Sequence, residues 1–256
     1  MHMKLLFIGD VVGEVGCRYL SKKLPQLRRE LGADITIING ENSANGNGIT
    51  AYSADQLFSC GADLITTGNH AFQRKDNLHI FENDCILRPA NYSDACPGKG
   101  LGLLDLGACR IAVINLSGVL FMENLDNPFH VIDKLLREID TPNIFVDFHA
   151  EATSEKKAMG HYLTGRVTGM FGTHTHVQTA DACILGEHTA YITDAGMTGV
   201  EDSVLGVKKE IAMDRLRLHV PIRFEEAQGE CFLNGVLVEF DSKLGKTTKI
   251  ISVFVR

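Results

Sequence analysis

Two histidines spaced by two, His174 and His176, sit in the run Gly172-Thr173-His174-Thr175-His176, directly after the apolar stretch Val167–Phe171. In extended chain such a pair points to one side. Open α/β sheets place their ligands just past the ends of central strands, so paired imidazoles there are candidate metal ligands. Three more apolar runs end in a similar way. Leu5–Ile8 leads into Gly9-Asp10, Ile35–Ile38 into Gly40-Glu41-Asn42, and Leu64–Thr67 into Gly68-Asn69-His70. A fifth run, Phe145–Phe148, leads into His149. These side chains are expected to converge on one rim of one sheet.

Carboxylates, amide carbonyls and imidazoles form a mixed oxygen and nitrogen ligand set. That set suits Mn, Fe or Zn better than Ca or Mg. Asp10, Glu41, Asn42, Asn69, His149, His174 and His176 are more ligands than one ion needs. Two ions about 3.5 Å apart, bridged by one carboxylate, would use them. Such a pair clamps the attacking and leaving oxygens of a phosphoryl transfer and makes hydroxide from water near neutral pH. His70 adjoins Asn69 but points the other way, and is placed to protonate a leaving alkoxide. Taken singly, each residue has a plainer role: Asp and Asn cap helices and form turns, and a half-buried His is often only hydrogen-bonded. Repetition over five strand ends is what points to a site.

Other motifs carry less. His2, His79, His130, His161, His188 and His219 lack the strand-end setting and read as surface or core residues. Lys22-Lys23, Arg28-Arg29 and Lys156-Lys157 read as solvated helix faces. Gly46-Asn47-Gly48 lacks the ending of a phosphate-binding P-loop, and is expected to be a wall or flexible lid of the site.

The elements that must position these groups alternate in the first third. Strand Leu5–Ile8 precedes a helix over Arg18–Leu31, where Pro25 predicts a kink or two short helices. Strand Ile35–Ile38, helix Ala51–Cys60 and strand Leu64–Thr67 follow, an order that predicts a parallel sheet. Strands are expected at Arg110–Leu116, Asn143–Phe148 and Thr189–Thr193, and helices at Pro128–Ile139 and Ser154–Leu163. Gly229–Phe240 and Lys246–Val255 alternate apolar and polar residues around the turn Asp241–Gly245, predicting an antiparallel hairpin with one wet face. Its exposed edge is a candidate dimer contact.

The 256 residues, 45% of them hydrophobic, suit a single α/β domain over 1–256, with two sheets packed between helices. A net charge of −7 argues against a stable nucleic-acid complex. Seven scattered cysteines without a CxxC pair predict buried free thiols in a reducing compartment. No apolar run reaches membrane-spanning length, and Met1–Lys4 enters a strand without a signal-peptide core. A cytoplasmic location is expected.

Taken in order, Gly9-Asp10, Gly40-Glu41-Asn42, Gly68-Asn69-His70, His149 and Gly172–His176 resemble the sequence blocks of the calcineurin-like metallophosphoesterases. Within that superfamily the chain is similar to the bacterial YmdB family. The segments Phe7–Gly13, Asn39–Asn42, Asp147–Lys156 and Thr193–Gly199 carry the likeness, which runs from about residue 3 to the C-terminus. Three positions depart from the wider superfamily. Val12 stands where a histidine is usual, Glu41 where Asp is usual, and Ala71 where an acid follows the histidine. Asn42 is then the replacement ligand, and whatever orients His70 must come from elsewhere.

The resemblance implies a four-layer α/β/β/α sandwich. It implies one ion held by Asp10, Glu41, Asn42 and His176, and another by Glu41, Asn69, His149 and His174, with Fe or Mn favoured and Zn allowed. His70 would be the proton donor. The implied activity is hydrolysis of small phosphodiesters such as 2′,3′-cyclic nucleotides. A phosphomonoesterase, a nuclease or a nucleotide-sensing regulatory protein are the alternatives. The strand-end loops show no basic cluster for the extra charge of a monoester.

Overall fold

A computed structural model describes residues Met1–Arg256. The first part of the chain contains β1 (His2–Ile8), β2 (Asp10–Val11), α1 (Gly13–Leu31), β3 (Ile35–Asn39), α2 (Ala51–Cys60), β4 (Leu64–Thr66) and β5 (Ile86–Leu87). The middle contains β6 (Leu101–Asp105), β7 (Arg110–Ser117), α3 (Pro128–Leu136), β8 (Ile144–His149), α4 (Thr153–Leu163) and β9 (Gly169–Thr173). The last part contains β10 (Cys183–Leu185), β11 (Thr189–Ile192), β12 (Met197–Val200), α5 (Lys209–Leu218), β13 (Cys231–Asp241) and β14 (Lys246–Val255). No helix is long and apolar enough to cross a membrane.

The strands form two sheets. One has eight strands in the order β2-β12-β13-β1-β3-β4-β5, with β14 on β13. The other runs β10-β11-β9-β8-β7-β6. β1, β3, β4 and β5 are parallel, as are β7, β8, β9 and β11. Three apolar cores separate four layers. Leu20 and Leu24 of α1 and Leu57 of α2 pack on the outer face of the first sheet. Phe7, Ile37 and Val236 meet Val113, Phe145 and Phe171 between the sheets. Ile132 of α3 and Met159 and Leu163 of α4 cover the second sheet. This is the expected α/β/β/α sandwich.

Several expectations need correction. α1 starts at Gly13 and runs unbroken through Pro25, because Leu20, Leu24 and Leu27 are buried on both sides of the proline and tertiary packing holds the helix. Gly16 lets this early turn approach the backbone of β12: a methyl there would overlap the Thr198 carbonyl. β13 has no wet face along Leu233–Val238, because Leu233 and Leu237 pack into the core under α1 and Val236 and Val238 into the core between the sheets. α3 ends at Leu136, short of Ile139. Only Cys17 and Cys60 of the seven free cysteines are buried. Cys183 and Cys231 open strands at sheet ends, where cover is thin. Lys156 is also not on a solvated face: it is fully buried.

Candidate metal centre

The strand-end residues do converge, but on the C-terminal edges of two sheets rather than one rim of one. Asp10, Glu41, Asn42, Asn69 and His70 follow β1, β3 and β4 of the first sheet. His149, His174 and His176 come from the ends of β8 and β9 in the second. The packing of the two sheets brings both sets of strand ends together.

His149 Nε2 lies at the middle of the cluster. It is 3.0 Å from Glu41 Oε1, 3.0 Å from Asn69 Oδ1 and 3.0 Å from His174 Nδ1. No single N–H satisfies three acceptors on one side. Ligand atoms each about 2.1 Å from one cation and at right angles to it would stand about 3.0 Å apart. One ligand atom from each of Glu41, His149 and His174 lies within 4.8 Å of the others.

The groups behind these candidate ligands fix their orientation. His149 Nδ1 is 2.9 Å from Thr173 Oγ1, whose own proton goes to Asp147 Oδ1 at 2.7 Å. The hydroxyl therefore accepts from Nδ1–H, and a neutral His149 turns its Nε2 lone pair to the cluster. Asp147 is itself held by Thr66 at 2.5 Å and Asn39 at 2.9 Å. Glu151 Oε2 lies 3.0 Å from His174 Nε2, a carboxylate backing of the kind metal-binding imidazoles carry.

The second group of expected ligands is looser. Asp10 Oδ2 accepts from the His174 N–H at 3.0 Å, while Asp10 Oδ1 is buried without a partner. His176 Nε2 is 3.7 Å from that orphaned oxygen and 3.1 Å from Asn42 Nδ2. Asn42 Nδ2 also donates to Glu41 Oε1 at 3.1 Å, and its Oδ1 is 3.0 Å from His70 Nδ1. Asn42 thus presents a donor where a ligand oxygen was expected. Turning the amide over exchanges two groups of nearly equal shape and would bring Oδ1 between Glu41 and His176. In either orientation Asn42 fixes the His70 ring, the task left open by Ala71.

The electrostatics favour a cation. Burial works against ionisation of Glu41, but His149 outweighs it and holds the carboxyl down to about 2. Burial would push His149 down, yet Glu41, Asp10 and Asp147 raise it to about 9. Burial and the His149 charge push His174 down to about 3. Asp10 is raised by burial. A metal ion bound at Nε2 would supply the positive charge that these buried carboxylates draw, in competition with a proton. The orphaned oxygen, the bare Nε2 and the mixed donor set fit transition-metal ions. Gly68 leaves the space they need: a methyl there would overlap the His149 ring and the Glu41 carboxylate.

The histidines after β9 are not in extended chain. His174 and His176 have φ of 98° and 63°, in the region that costs non-glycine residues energy. Thr175 between them donates its N–H and hydroxyl to Asp194 Oδ2, at 3.0 and 2.6 Å. Lys156 Nζ meets the same oxygen at 2.8 Å. Asp194 and Lys156 escaped the sequence reading; Asp147 had a usable signal, a lone acid two residues before His149 in an apolar run.

Behind this loop, Asp181 binds Thr193 Oγ1 at 2.5 Å, Thr179 Oγ1 at 2.7 Å and Lys157 Nζ at 2.9 Å. Partial burial works against its ionisation, yet these donors hold it well below the usual carboxylate range. A carboxyl held low in the folded protein contributes stability above its unfolded pKa of about 3.9, and loses it as pH falls through the folded value. Asp181→Asn should therefore melt below the parent at pH 7, with the gap closing below about pH 4. Thermal melts across that range check this; a gap independent of pH would mean that the charge is not its source.

The family model of YmdB-like proteins matches residues 6–253. The chain belongs to the YmdB-like family. It is 44% identical over 256 residues to a 2′,3′-cyclic-nucleotide 2′-phosphodiesterase of Bacillus subtilis (strain 168), covering 99% of this chain and 97% of that protein. The crystal structure of a hypothetical protein from Thermus thermophilus superposes with a TM-score of 0.94 at 39% identity, covering 99% of each chain. That of a phosphatase from Mycoplasma pneumoniae superposes with a TM-score of 0.96 at 33% identity, over 100% of this chain and 94% of the other. These YmdB-like relatives match nearly end to end, so both sheets that build the site lie inside the likeness.

Proposed function

We propose that this chain is a dinuclear-metal phosphodiesterase acting on small diesters such as 2′,3′-cyclic nucleotides. The observation that carries the reading is His149 Nε2, facing a carboxylate, an amide oxygen and a second imidazole nitrogen, each at 3.0 Å. Glu41, Asn69, His149 and His174 would hold one ion; Asp10, Glu41, Asn42 and His176 the other. Fe or Mn suits the set, and Zn shares the same ligands. Bound there, the ions supply Lewis-acid polarisation of the phosphoryl group and a nucleophile at neutral pH.

The remaining steps belong to the chain. His70 is part-exposed beside the cluster, its N–H on Glu41 Oε2 at 3.2 Å and its ring fixed by Asn42, with the ring free to protonate the departing oxygen. Thr173 and Glu151 keep His149 and His174 in register. Arg74, the guanidinium nearest in sequence to His70, is committed to backbone: it donates to the Asn47 and Ala44 carbonyls at 2.7 and 2.5 Å. It pins the Gly46-Asn47-Gly48 loop as a wall and has little left for the added charge of a monoester. The name of the Bacillus subtilis relative supports a diester substrate. A cytoplasmic setting is part of this reading, in keeping with seven free thiols.

The test is hydrolysis of 2′,3′-cyclic AMP by metal-free protein reloaded with Mn, Fe(II), Zn or Mg, with the product isomer read by chromatography. Turnover is expected with Mn or Fe, and His70→Ala should lower it about 10²- to 10⁴-fold with the ions retained. Two ions bound per chain and no turnover with any metal would overturn the reading.

A further inference from the structure

A cleft of about 890 Å³ opens beside His70, a volume suited to a small organic ligand. Its walls include Asn45, Asn47, Arg223, Phe224 and Glu226. Neither the metal cluster nor the proton donor accounts for three features of these walls.

Phe224 is 49% exposed where it lines the cleft. It is not loose. The Arg215 guanidinium lies 4.3 Å from the ring centroid and itself donates to the Ile222 carbonyl at 3.3 Å. One face of the ring is therefore backed by a cation, and the ring borders the cleft. Two residues on, Glu226 also lines the cleft, and its Oε1 is buried with no partner. A carboxylate in a cleft wall offers an acceptor to an N–H donor. Arg223 is exposed and makes no bond within the chain, unlike Arg74.

We infer that this cleft is a nucleoside subsite, in which Phe224 stacks on the nucleobase and Glu226 accepts from an N–H on the base edge. A planar base with an N–H edge, joined through ribose to a phosphate at the metal centre, answers the first two of these features. Aromatic faces take bases of any sequence, and an acceptor on the edge adds the polar contact that such a site needs. The inference rests on the phosphodiesterase reading for the place of the phosphate; stacking in the cleft does not depend on it.

Two measurements separate the ideas. In the first, kcat/KM is determined for 2′,3′-cyclic AMP and for 1-O-methylribose 2′,3′-cyclic phosphate, which has no base. Phe224→Ala should lower the value for the nucleotide about 5- to 100-fold, the range for losing one stacked base, and leave the base-free substrate within about twofold. Phe224→Trp should hold the nucleotide value. In the second, adenosine 3′-monophosphate and ribose 3-phosphate are titrated into the parent and Phe224→Ala by NMR. Only the nucleotide should lose affinity, and its adenine protons should show contacts to the Phe224 ring. Equal losses for both compounds, or none for the nucleotide, overturn the subsite. A parent that cleaves neither diester, yet binds the nucleotide through Phe224, overturns the phosphodiesterase reading and keeps the subsite.

Discussion

Glu41→Gln should lower kcat by more than about 10³-fold and leave the protein folded. Glu41 is fully buried, with Oε1 3.0 Å from His149 Nε2 and 3.1 Å from Asn42 Nδ2, and Oε2 accepting the His70 N–H at 3.2 Å. It touches members of both proposed ligand groups. Gln has the same length and keeps one accepting oxygen. It also loses the charge that draws positive charge to the centre and turns an NH₂ toward a position that needs a lone pair. Metal stabilisation of phosphoryl transfer is worth several kcal/mol, and about 1.4 kcal/mol is tenfold in rate. Metal content by mass spectrometry should fall with the activity, while circular dichroism and thermal melting report an intact fold. A variant that keeps both ions and parental turnover would remove Glu41 from the centre.

The part of this site that the sequence shows is the part with local causes. Each of Asp10, Glu41 and Asn69 follows an apolar run and a glycine, because a buried parallel strand must end and the next residue is free to do chemistry. Those signals span a few residues and need no knowledge of the fold. The division of the strands between two sheets has no such local mark, which is why one rim was expected. The start of α1 was missed for a related reason. Gly13 and Gly16 are poor helix formers, and the turn they occupy is held by its approach to β12, nearly two hundred residues later. Lys156 is the sharpest case. Beside Lys157 in a polar stretch it reads as solvated, and only Lys157 is exposed. What buries Lys156 is the end of β11, whose Asp194 reaches it from another element.

That pair supports the second large prediction: Lys156→Met should destabilise the protein by about 3–5 kcal/mol, the usual cost of stranding one charge of a buried pair. Both side chains are fully buried, with Lys156 Nζ 2.8 Å from Asp194 Oδ2. The same oxygen accepts the Thr175 N–H and hydroxyl, and Oδ1 accepts the Gly196 N–H at 2.8 Å. One carboxylate therefore anchors the loop whose flanking residues, His174 and His176, sit at positive φ. With Lys156 neutral, that carboxylate stays buried without its counter-charge. The loop then loses its best acceptor or the region opens to water, and metal affinity should fall about 10- to 100-fold as the two imidazoles lose their support. The double variant Lys156→Met with Asp194→Asn separates charge from packing. It strands no charge, and an Asn oxygen still accepts from Thr175, so most of the lost stability should return. Urea unfolding of the parent, both single variants and the double variant gives the coupling energy directly. A Lys156→Met variant within about 1 kcal/mol of the parent would mean that water already reaches Asp194, and that His174 and His176 hold their strained backbone without this anchor.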